Sequence, residues 1–446
     1  MEAVARSMGK RNTRGKWPIV TQLTILSLLG AACIYFLWPR PAPAPQTPAP
    51  AAAVPAHINL ILDTSASMQG YLNGHTELKD KVAELIAQID ELGVAPSPLK
   101  SVTYQFGTDS GEIINSGYDS RGFIQRLLND TLMAGQASLL QDLFRNAVAE
   151  TNKDTVSLLV TDSIFSYSDQ AVKANPEINK NNIAGLAADI TLTFNKAKEA
   201  GISVSLLAAR SSFHGKYYNY RNVAQKCCNI PRPYYVWVLG EASRIRGLLD
   251  FLQKHGAIYE HELDFNLQPT ELSLAICQHT KRVGTWYTDH RNRHRIEDVD
   301  TDPAKNELQF ALALDLSSLP KELSTISFLN QHLLVQSSEM SLKGKMINLK
   351  AEVEKSFDRR DARNLAPYTH LVVLKTDNSF AKTAAITLFI EDALPDWYLQ
   401  WSNDDDTADD PQTSATTFGL KEIVTGVAQA YRRAEPVAKV TLHLSR

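Results

Sequence analysis

The stretch H-I-N-L-I-L-D-T-S-A-S, residues 57–67, decides the fold of this chain. Its first seven residues form a short apolar run that ends at Asp63, which is typical of a buried β-strand. A polar loop from Thr64 to Ser67 follows, and apolar residues then recur at helical spacing from Leu78 onward. A buried strand, a polar loop and an amphipathic helix in this order predict one unit of an α/β sheet.

The alternation of strands and helices continues to about residue 256. Further strand-like runs lie at residues 101–106, 112–115, 155–162, 202–209 and 234–240, and helical spacing marks residues 139–148 and 183–200 and the residues after 241. This alternation predicts a doubly wound, mostly parallel sheet. Ligands bind beyond the carboxyl ends of the strands in such sheets. Since Asp63 and Asp162 both end strands, we expect them at the same edge.

The loop after the first strand carries oxygen ligands for a metal ion. Asp63 offers a carboxylate, Ser65 and Ser67 offer hydroxyls, and Asp162 is the natural second carboxylate. A hard cation such as Mg²⁺ takes about six oxygens and keeps several waters, so these four side chains leave open positions. The alternative is that Asp63 and the serines only cap the first helix, because Asp and Ser are preferred caps.

These residues resemble the metal-ion-dependent adhesion site of von Willebrand factor A domains. D-T-S-A-S-M-Q-G (63–70) is similar to the family's D-x-S-x-S loop, and L-L-V-T-D-S (158–163) to its later T-D element. The hairpin sequence Y-Q-F-G-T-D-S-G (104–111) looks like the family's second and third strands. The resemblance covers about residues 57–256. It implies bound Mg²⁺, or Mn²⁺ or Ca²⁺, whose open position is filled by an acidic residue of a protein partner.

One position departs from the family pattern. The family usually has a threonine in G-x-T-x-L that contributes a hydroxyl to the metal. Here Ala137 stands at that position and Ser138 follows it. Either Ser138 supplies the hydroxyl, or a water replaces it and the affinity for the metal falls.

The segment before the first strand predicts a membrane anchor. Residues 17–38 hold no charged side chain and are long enough for one transmembrane helix, with tryptophans at both ends. Residues 1–16 are basic, so the N-terminus is expected in the cytoplasm. Residues 39–56 are rich in proline and alanine and predict a semi-rigid spacer. A cleaved lipoprotein signal at Ala31-Ala32-Cys33 is the alternative. We expect a single-pass protein of a bacterial inner membrane with its bulk in the periplasm.

From residue 257 to 446, apolar residues recur at every second position instead of at helical spacing. Alternating apolar residues at 308–316, 347–353, 386–390 and 440–444 predict strands with one buried face. Residues 418–431 read as one helix. These features predict a β-rich, sandwich-like domain.

Composition and motifs restrict the function. The formal net charge is −3, from 46 Lys and Arg against 49 Asp and Glu, which gives no basic field for nucleic acid. The sequence has no G-x-S-x-G, H-E-x-x-H or phosphate-binding loop, so we do not expect an enzyme. We expect a protein that binds a partner through its metal, as part of an envelope complex. A metal-dependent hydrolase and a structural subunit with a vestigial metal site are the alternatives.

Three other features have open interpretations. The cysteines, Cys33, Cys227, Cys228 and Cys277, lack zinc spacing, and Cys277 is either bridged to Cys227 or Cys228 or free. The insertion at 210–233 is either a partner-binding loop or an ordinary surface loop. The run N-D-D-D-T-A-D-D (403–410), which we name the acidic segment, lacks the glycine and glutamate of an EF-hand.

Overall fold

The structure is a computed structural model that describes residues 53–446. The description omits residues 95–96, 109, 130–138, 228–230, 257–258, 267–268, 290–291, 293, 303, 305–306, 354, 356, 363–364, 377–381 and 409. The predicted membrane segment at 17–38, with Ala137 and Ser138, therefore lies outside the described residues. Among the residues that are described, no helix combines the length and the apolar character needed to cross a bilayer.

Strands and helices alternate in the first part of the chain. The strands are β1 (His57–Asp63), β2 (Ser101–Gly107), β3 (Ile113–Asn115), β4 (Thr155–Thr161), β5 (Ser203–Ser211), β6 (Gly215–Tyr218), β7 (Ala224–Cys227), β8 (Arg232–Gly240) and β9 (His261–Asp264). The helices are α1 (Gln69–Leu72), α2 (Glu77–Leu92), α3 (Ser120–Leu128), α4 (Leu140–Glu150), α5 (Asp169–Ala174), α6 (Ile178–Asn181), α7 (Ile183–Glu199) and α8 (Ala242–Lys254).

Local sequence explains where the first helices begin. The Thr76 side chain caps α2 by accepting a hydrogen bond from the Lys79 backbone N–H, and Glu77 and Asp80 place negative charge in the first turn. The apolar residues of α2 recur every three or four positions and are buried against β1. The strand, loop and helix predicted around residue 63 are therefore present.

Seven strands form one mixed sheet in the order β3-β2-β1-β4-β8-β5-β9. The central strand β1 pairs in parallel with both β2 and β4, and β3 runs antiparallel at one edge. Helices on the two faces cover two hydrophobic cores, one beneath α2 and α8 and the other beneath α4 and α7. The chain is thus mixed α/β, with a sheet that contains parallel strands.

The prediction of a mostly parallel sheet is wrong for the half that follows β4. There β8 pairs antiparallel with both β4 and β5, and β9 pairs antiparallel with β5. The cause is the insertion after β5, which folds as the antiparallel hairpin β6–β7 and contains no crossover helix. Without a crossover the chain can only return antiparallel beside the strand it has left.

The rest of the chain is rich in strands. These are β10 (Thr270–Glu271), β11 (Ser273–Cys277), β12 (Thr285–Thr288), β13 (Arg295–Asp300), β14 (Leu308–Asp315), β15 (Leu333–Gln336), β16 (Leu342–Leu349), β17 (His370–Thr376), β18 (Thr383–Ile390), β19 (Ser402–Asn403), β20 (Thr417–Phe418) and β21 (Ala438–Ser445). Between them lie a 3₁₀ turn (Lys321–Ser324) and the helices α9 (Ile326–His332), α10 (Lys350–Val353), α11 (Arg359–Ala362), α12 (Trp397–Gln400), α13 (Pro411–Ser414) and α14 (Leu420–Tyr431).

Two sheets of this part share one hydrophobic core. One has the order β11-β14-β17-β16, and the other has β12-β13-β21-β18-β15 with β10 beside β21. Alternate residues of β14, β18 and β21 point into the core, as their period of two predicted. The prediction of one buried face is wrong for β14, because Ala311 and Ala313 on its other face are buried in a second cluster. The predicted strand at 347–353 is wrong beyond Leu349, because residues 350–353 form the helical turn α10.

Two segments beyond residue 256 pack together with the first sheet and its helices. Strand β9 forms its edge, and helix α14 packs against α7. Gly426 permits this contact, because a Cβ at that position would lie 2.7 Å from the Ala187 carbonyl oxygen. The Tyr431 hydroxyl donates a hydrogen bond to the Ile202 carbonyl and fixes the end of α14. The predicted division at residue 256 stays a prediction.

Candidate metal centre

Asp63 ends β1 inside a closed set of hydrogen bonds. One carboxylate oxygen, Oδ1, accepts from the Ser65 backbone N–H at 2.9 Å, and Oδ2 accepts from the Thr161 hydroxyl at 2.8 Å. The hydroxyl oxygens of Ser65 and Ser67 lie 3.1 Å apart. The loop therefore turns the carboxylate and both hydroxyls toward one point, as the sequence predicted.

Asp162 meets this loop from the next strand. The parallel register of β1 and β4 places Leu62 opposite Val160, so both strands end at the same edge. Asp162 is buried, and its Oδ1 accepts from the Ile164 backbone N–H at 3.1 Å. Its other oxygen, Oδ2, is buried and has no hydrogen-bond partner. A buried carboxylate oxygen without a partner is costly, so this position favours a water or a cation as ligand.

The backbone after Asp162 is strained. Ser163 has φ of +54°, in the left-handed region that a residue with a Cβ rarely adopts. Its hydroxyl accepts a hydrogen bond from the Trp237 indole N–H at 3.0 Å, and its backbone N–H donates to the Thr161 hydroxyl. Such strain persists where surrounding contacts hold it, and it concentrates at functional sites.

The carboxylates of Asp63 and Asp162 repel each other when both are ionised. Burial, and then the negative charge of Asp162, raise the pKa of Asp63 from 3.8 to about 7, although hydrogen bonds from Ser65 and Thr161 act in the other direction. Burial also raises the pKa of Asp162. Two buried groups of like charge in one site disfavour their ionised forms unless a cation joins them.

The donors suit a hard divalent cation. They are two carboxylates and two hydroxyls, all of them oxygens, which Mg²⁺, Mn²⁺ and Ca²⁺ accept. The unpartnered Oδ2 of Asp162 fits such an ion, because the ion would supply the missing interaction. The described residues contain no group of three or more His, Cys, Asp or Glu side chains that is placed to hold a metal ion, so a metal here would depend on the serine hydroxyls and on water. The predicted fifth ligand, Ser138, lies outside the described residues.

Comparison with protein-family models, with curated proteins and with solved structures finds no match.

The insertion at 210–233 packs directly on the metal-site loop. Gly70 lies in the first turn of α1, directly after this loop, and a Cβ there would lie 2.2 Å from the Phe213 ring. The Gly70 carbonyl accepts a hydrogen bond from the His214 N–H at 2.6 Å. The Tyr71 hydroxyl donates to the Pro233 carbonyl at 2.5 Å. The hairpin thus forms a wall of the site.

Sequence reasoning missed three polar residues beside the site. Thr161 holds Asp63, whereas Arg232 is buried at the start of β8 and Asp406 is buried against Tyr217 of β6. Only Thr161 had a sequence signal, since it precedes Asp162 in the T-D element. Arg232 and Asp406 lie in stretches that read as loops, and only the folded chain brings them together.

The other candidates of the sequence have ordinary structural roles where they are described. Cys277 is a buried free thiol, and burial raises its pKa to about 12. In the acidic segment, Asp405 pairs with Lys180 at 2.8 Å and Asp410 caps α13. These contacts do not assemble a calcium loop from the described part of the segment.

Proposed function

We propose that this chain is a membrane-anchored protein of von Willebrand factor A type that binds a partner protein through a divalent metal. Asp63, Ser65, Ser67 and Asp162 would hold the metal, and an acidic side chain of the partner would complete its shell. The observation that carries the proposal is the buried, unpartnered Oδ2 of Asp162 opposite the buried carboxylate of Asp63.

The fold supports the same proposal. The half-sheet β3-β2-β1-β4 has parallel central strands and an antiparallel edge strand, as the resemblance implies. The two sheets of the β-rich part share one core in the manner of a sandwich. The antiparallel position of β8 is this chain's own departure from a simple doubly wound sheet.

The chemistry favours docking over catalysis. Ionised Asp63 and Asp162 would bind the cation, while Thr161 and the Ser65 N–H hold Asp63 in place. Among the described residues, the groups that hydrogen-bond to Asp63 and Asp162 are hydroxyls and backbone N–H groups, and none of these is a general base. The metal, when bound, supplies a positive charge that an acidic partner group can ligate.

Metal binding by the full-length chain tests the proposal. Titration with Mn²⁺ and Mg²⁺ should show one saturable site that Asp63→Ala abolishes and Ser65→Ala weakens. Ser157→Ala is the matched control, because Ser157 is equally buried on β4 but hydrogen-bonds only with Thr151, away from the site. Binding that is equal in all four proteins, or absent from the wild type, would leave the site as a vestigial structural element.

Two further experiments address the partner and the location. Crosslinking in cells should capture a protein whose recovery is lost with a chelator or with Asp63→Ala. Protease added to spheroplasts should degrade the folded part if it lies in the periplasm. Protection of that part would contradict the orientation without bearing on the metal.

A further inference from the structure

Arg232 is a buried cation at the edge of the proposed metal site. Strand β8 runs antiparallel to β4, and Tyr235 lies opposite Thr161 at the last pair. Arg232, three residues earlier, therefore lies beyond the end of β4, on the side where Asp162 leaves the sheet. Only 1% of Arg232 is exposed. Its guanidinium carbon lies 5.6 Å from the centre of the Phe213 ring, and that ring packs against Gly70 directly after the metal-site loop.

Neutral groups hold the guanidinium of Arg232. It donates hydrogen bonds to the carbonyls of Ser414 at 2.8 Å and Thr416 at 3.4 Å, and it stacks on the Tyr217 ring at 3.9 Å. Its Nε has no hydrogen-bond partner. Because the guanidinium makes no direct ion pair with a residue that the structure describes, its charge acts on the buried carboxylates of this region.

Asp406 of the acidic segment is the third buried carboxylate in this region. Its Oδ2 accepts a hydrogen bond from the Tyr217 hydroxyl, and its Oδ1 accepts from the Tyr220 N–H at 2.8 Å. Tyr217 thus touches Asp406 with its hydroxyl and Arg232 with its ring. Burial raises the pKa of Asp406, and the hydrogen bonds from Tyr217 and Tyr220 and the charge of Arg232 oppose this rise.

The described residues place four buried charged side chains in this region. Ionised Asp63, Asp162 and Asp406 contribute three negative charges and Arg232 contributes one positive charge, which leaves −2. Two ion pairs lie on the surface nearby, Lys180 with Asp405 and Arg221 with Glu177, and neither adds net charge. A divalent cation would make the region neutral, whereas a trivalent ion would leave one excess positive charge.

We propose that Arg232 and Asp406 act together as positioning residues that set the charge of the cation the site prefers. The proposal rests on the proposed metal site and adds the source of its selectivity. Neither residue would touch the metal. Each would act through the field it exerts in a region with little water, where one unit charge changes ion affinity on the order of tenfold.

The test compares two variants that disturb the same contacts but change the charge in opposite directions. Arg232→Met makes the region one unit more negative, and Asp406→Asn makes it one unit less negative. Full-length wild type and variants are titrated with Mn²⁺, followed by its paramagnetic signal, and with Tb³⁺, followed by its luminescence. The quantity compared is the ratio of the Tb³⁺ to the Mn²⁺ dissociation constant.

We expect Arg232→Met to shift this ratio about tenfold toward Tb³⁺ and Asp406→Asn to shift it in the opposite direction. Arg232→Lys, which keeps the charge, should keep the wild-type ratio even if both affinities fall. Shifts in the same direction, or no shift, would overturn the inference while the metal site stands. A wild type that binds neither ion would instead refute the proposed function, so the two failures are distinguishable.

Discussion

Replacing Asp162 with asparagine should stabilise the metal-free protein and remove its response to metal. The substitution keeps the shape of the side chain, and the amide oxygen can still accept from the Ile164 N–H. It removes a buried negative charge whose second oxygen has no partner. It also removes the repulsion that contributes to the raised pKa of Asp63.

The size of the effect follows from the electrostatics of Asp63. A rise in pKa from 3.8 to about 7 corresponds to roughly 4 kcal/mol against the ionised form, at about 1.4 kcal/mol for each unit of pKa. Burial is the larger cause and the charge of Asp162 the second, so the variant should regain a part of this. We expect the metal-free variant at pH 8 to be about 1 to 2 kcal/mol more stable than the wild type.

Thermal unfolding of the wild type and of Asp162→Asn, in EDTA and in excess Mg²⁺, measures this difference in stability. The wild type should gain about 3 kcal/mol when the ion is at one hundred times its dissociation constant, and the variant should gain nothing, so the order of stability reverses. Asp361→Asn is the control. Asp361 is buried but accepts from the N–H groups of residues 278–280, so its loss should destabilise equally in both buffers. A metal-free variant less stable than the wild type, or one still stabilised by Mg²⁺, would refute the reasoning.

Three other predictions concern packing and pH. Gly70→Ala should lower the free energy of unfolding by about 1 to 3 kcal/mol and weaken Mn²⁺ binding, because the new methyl group displaces Phe213 from the metal-site loop. An unchanged free energy of unfolding and an unchanged Mn²⁺ affinity would contradict the close contact of Gly70 with Phe213. Gly426→Ala should also lower the free energy of unfolding by ~1 to 3 kcal/mol, because it separates α14 from the Ala187 carbonyl. Mn²⁺ titration of this variant should give the wild-type affinity. In EDTA the free energy of unfolding should fall as the pH rises from 4 through 7, because folded Asp63 keeps a proton that the unfolded chain has released. Denaturant titrations at several pH values measure this dependence, and a free energy of unfolding that rises with pH would contradict the raised pKa of Asp63.

Sequence patterns predicted the local elements of this fold well. Strand β1 and the loop after it are short-range features, since one apolar run, two serines and a helix cap are enough to specify them. Parallel pairing of β1 with β4 then brings Asp63 and Asp162 to one edge, which the general geometry of α/β sheets predicts. These parts of the candidate site therefore follow from the sequence.

Long-range pairing did not follow from the sequence. Strand β8 is a continuous apolar run, and such a run gives no indication of whether it enters the sheet parallel or antiparallel. Its direction decides that Arg232, and not the residue at its other end, lies at the metal-site edge. The contact of Tyr217 with Asp406 joins two stretches far apart in the chain, and one sequence alone cannot predict such pairs.

The packing of α14 on α7 has a consequence for biosynthesis. A ribosome completes α7 at residue 199 but reaches the glycine that fits against it only at residue 426. At about 5 to 20 residues per second, the side of α7 that contacts α14 stays without this contact for tens of seconds. The packing around α7 is therefore completed only when nearly the whole chain has been made. We expect truncated nascent chains that end before residue 420 to be protease-sensitive and to depend on chaperones.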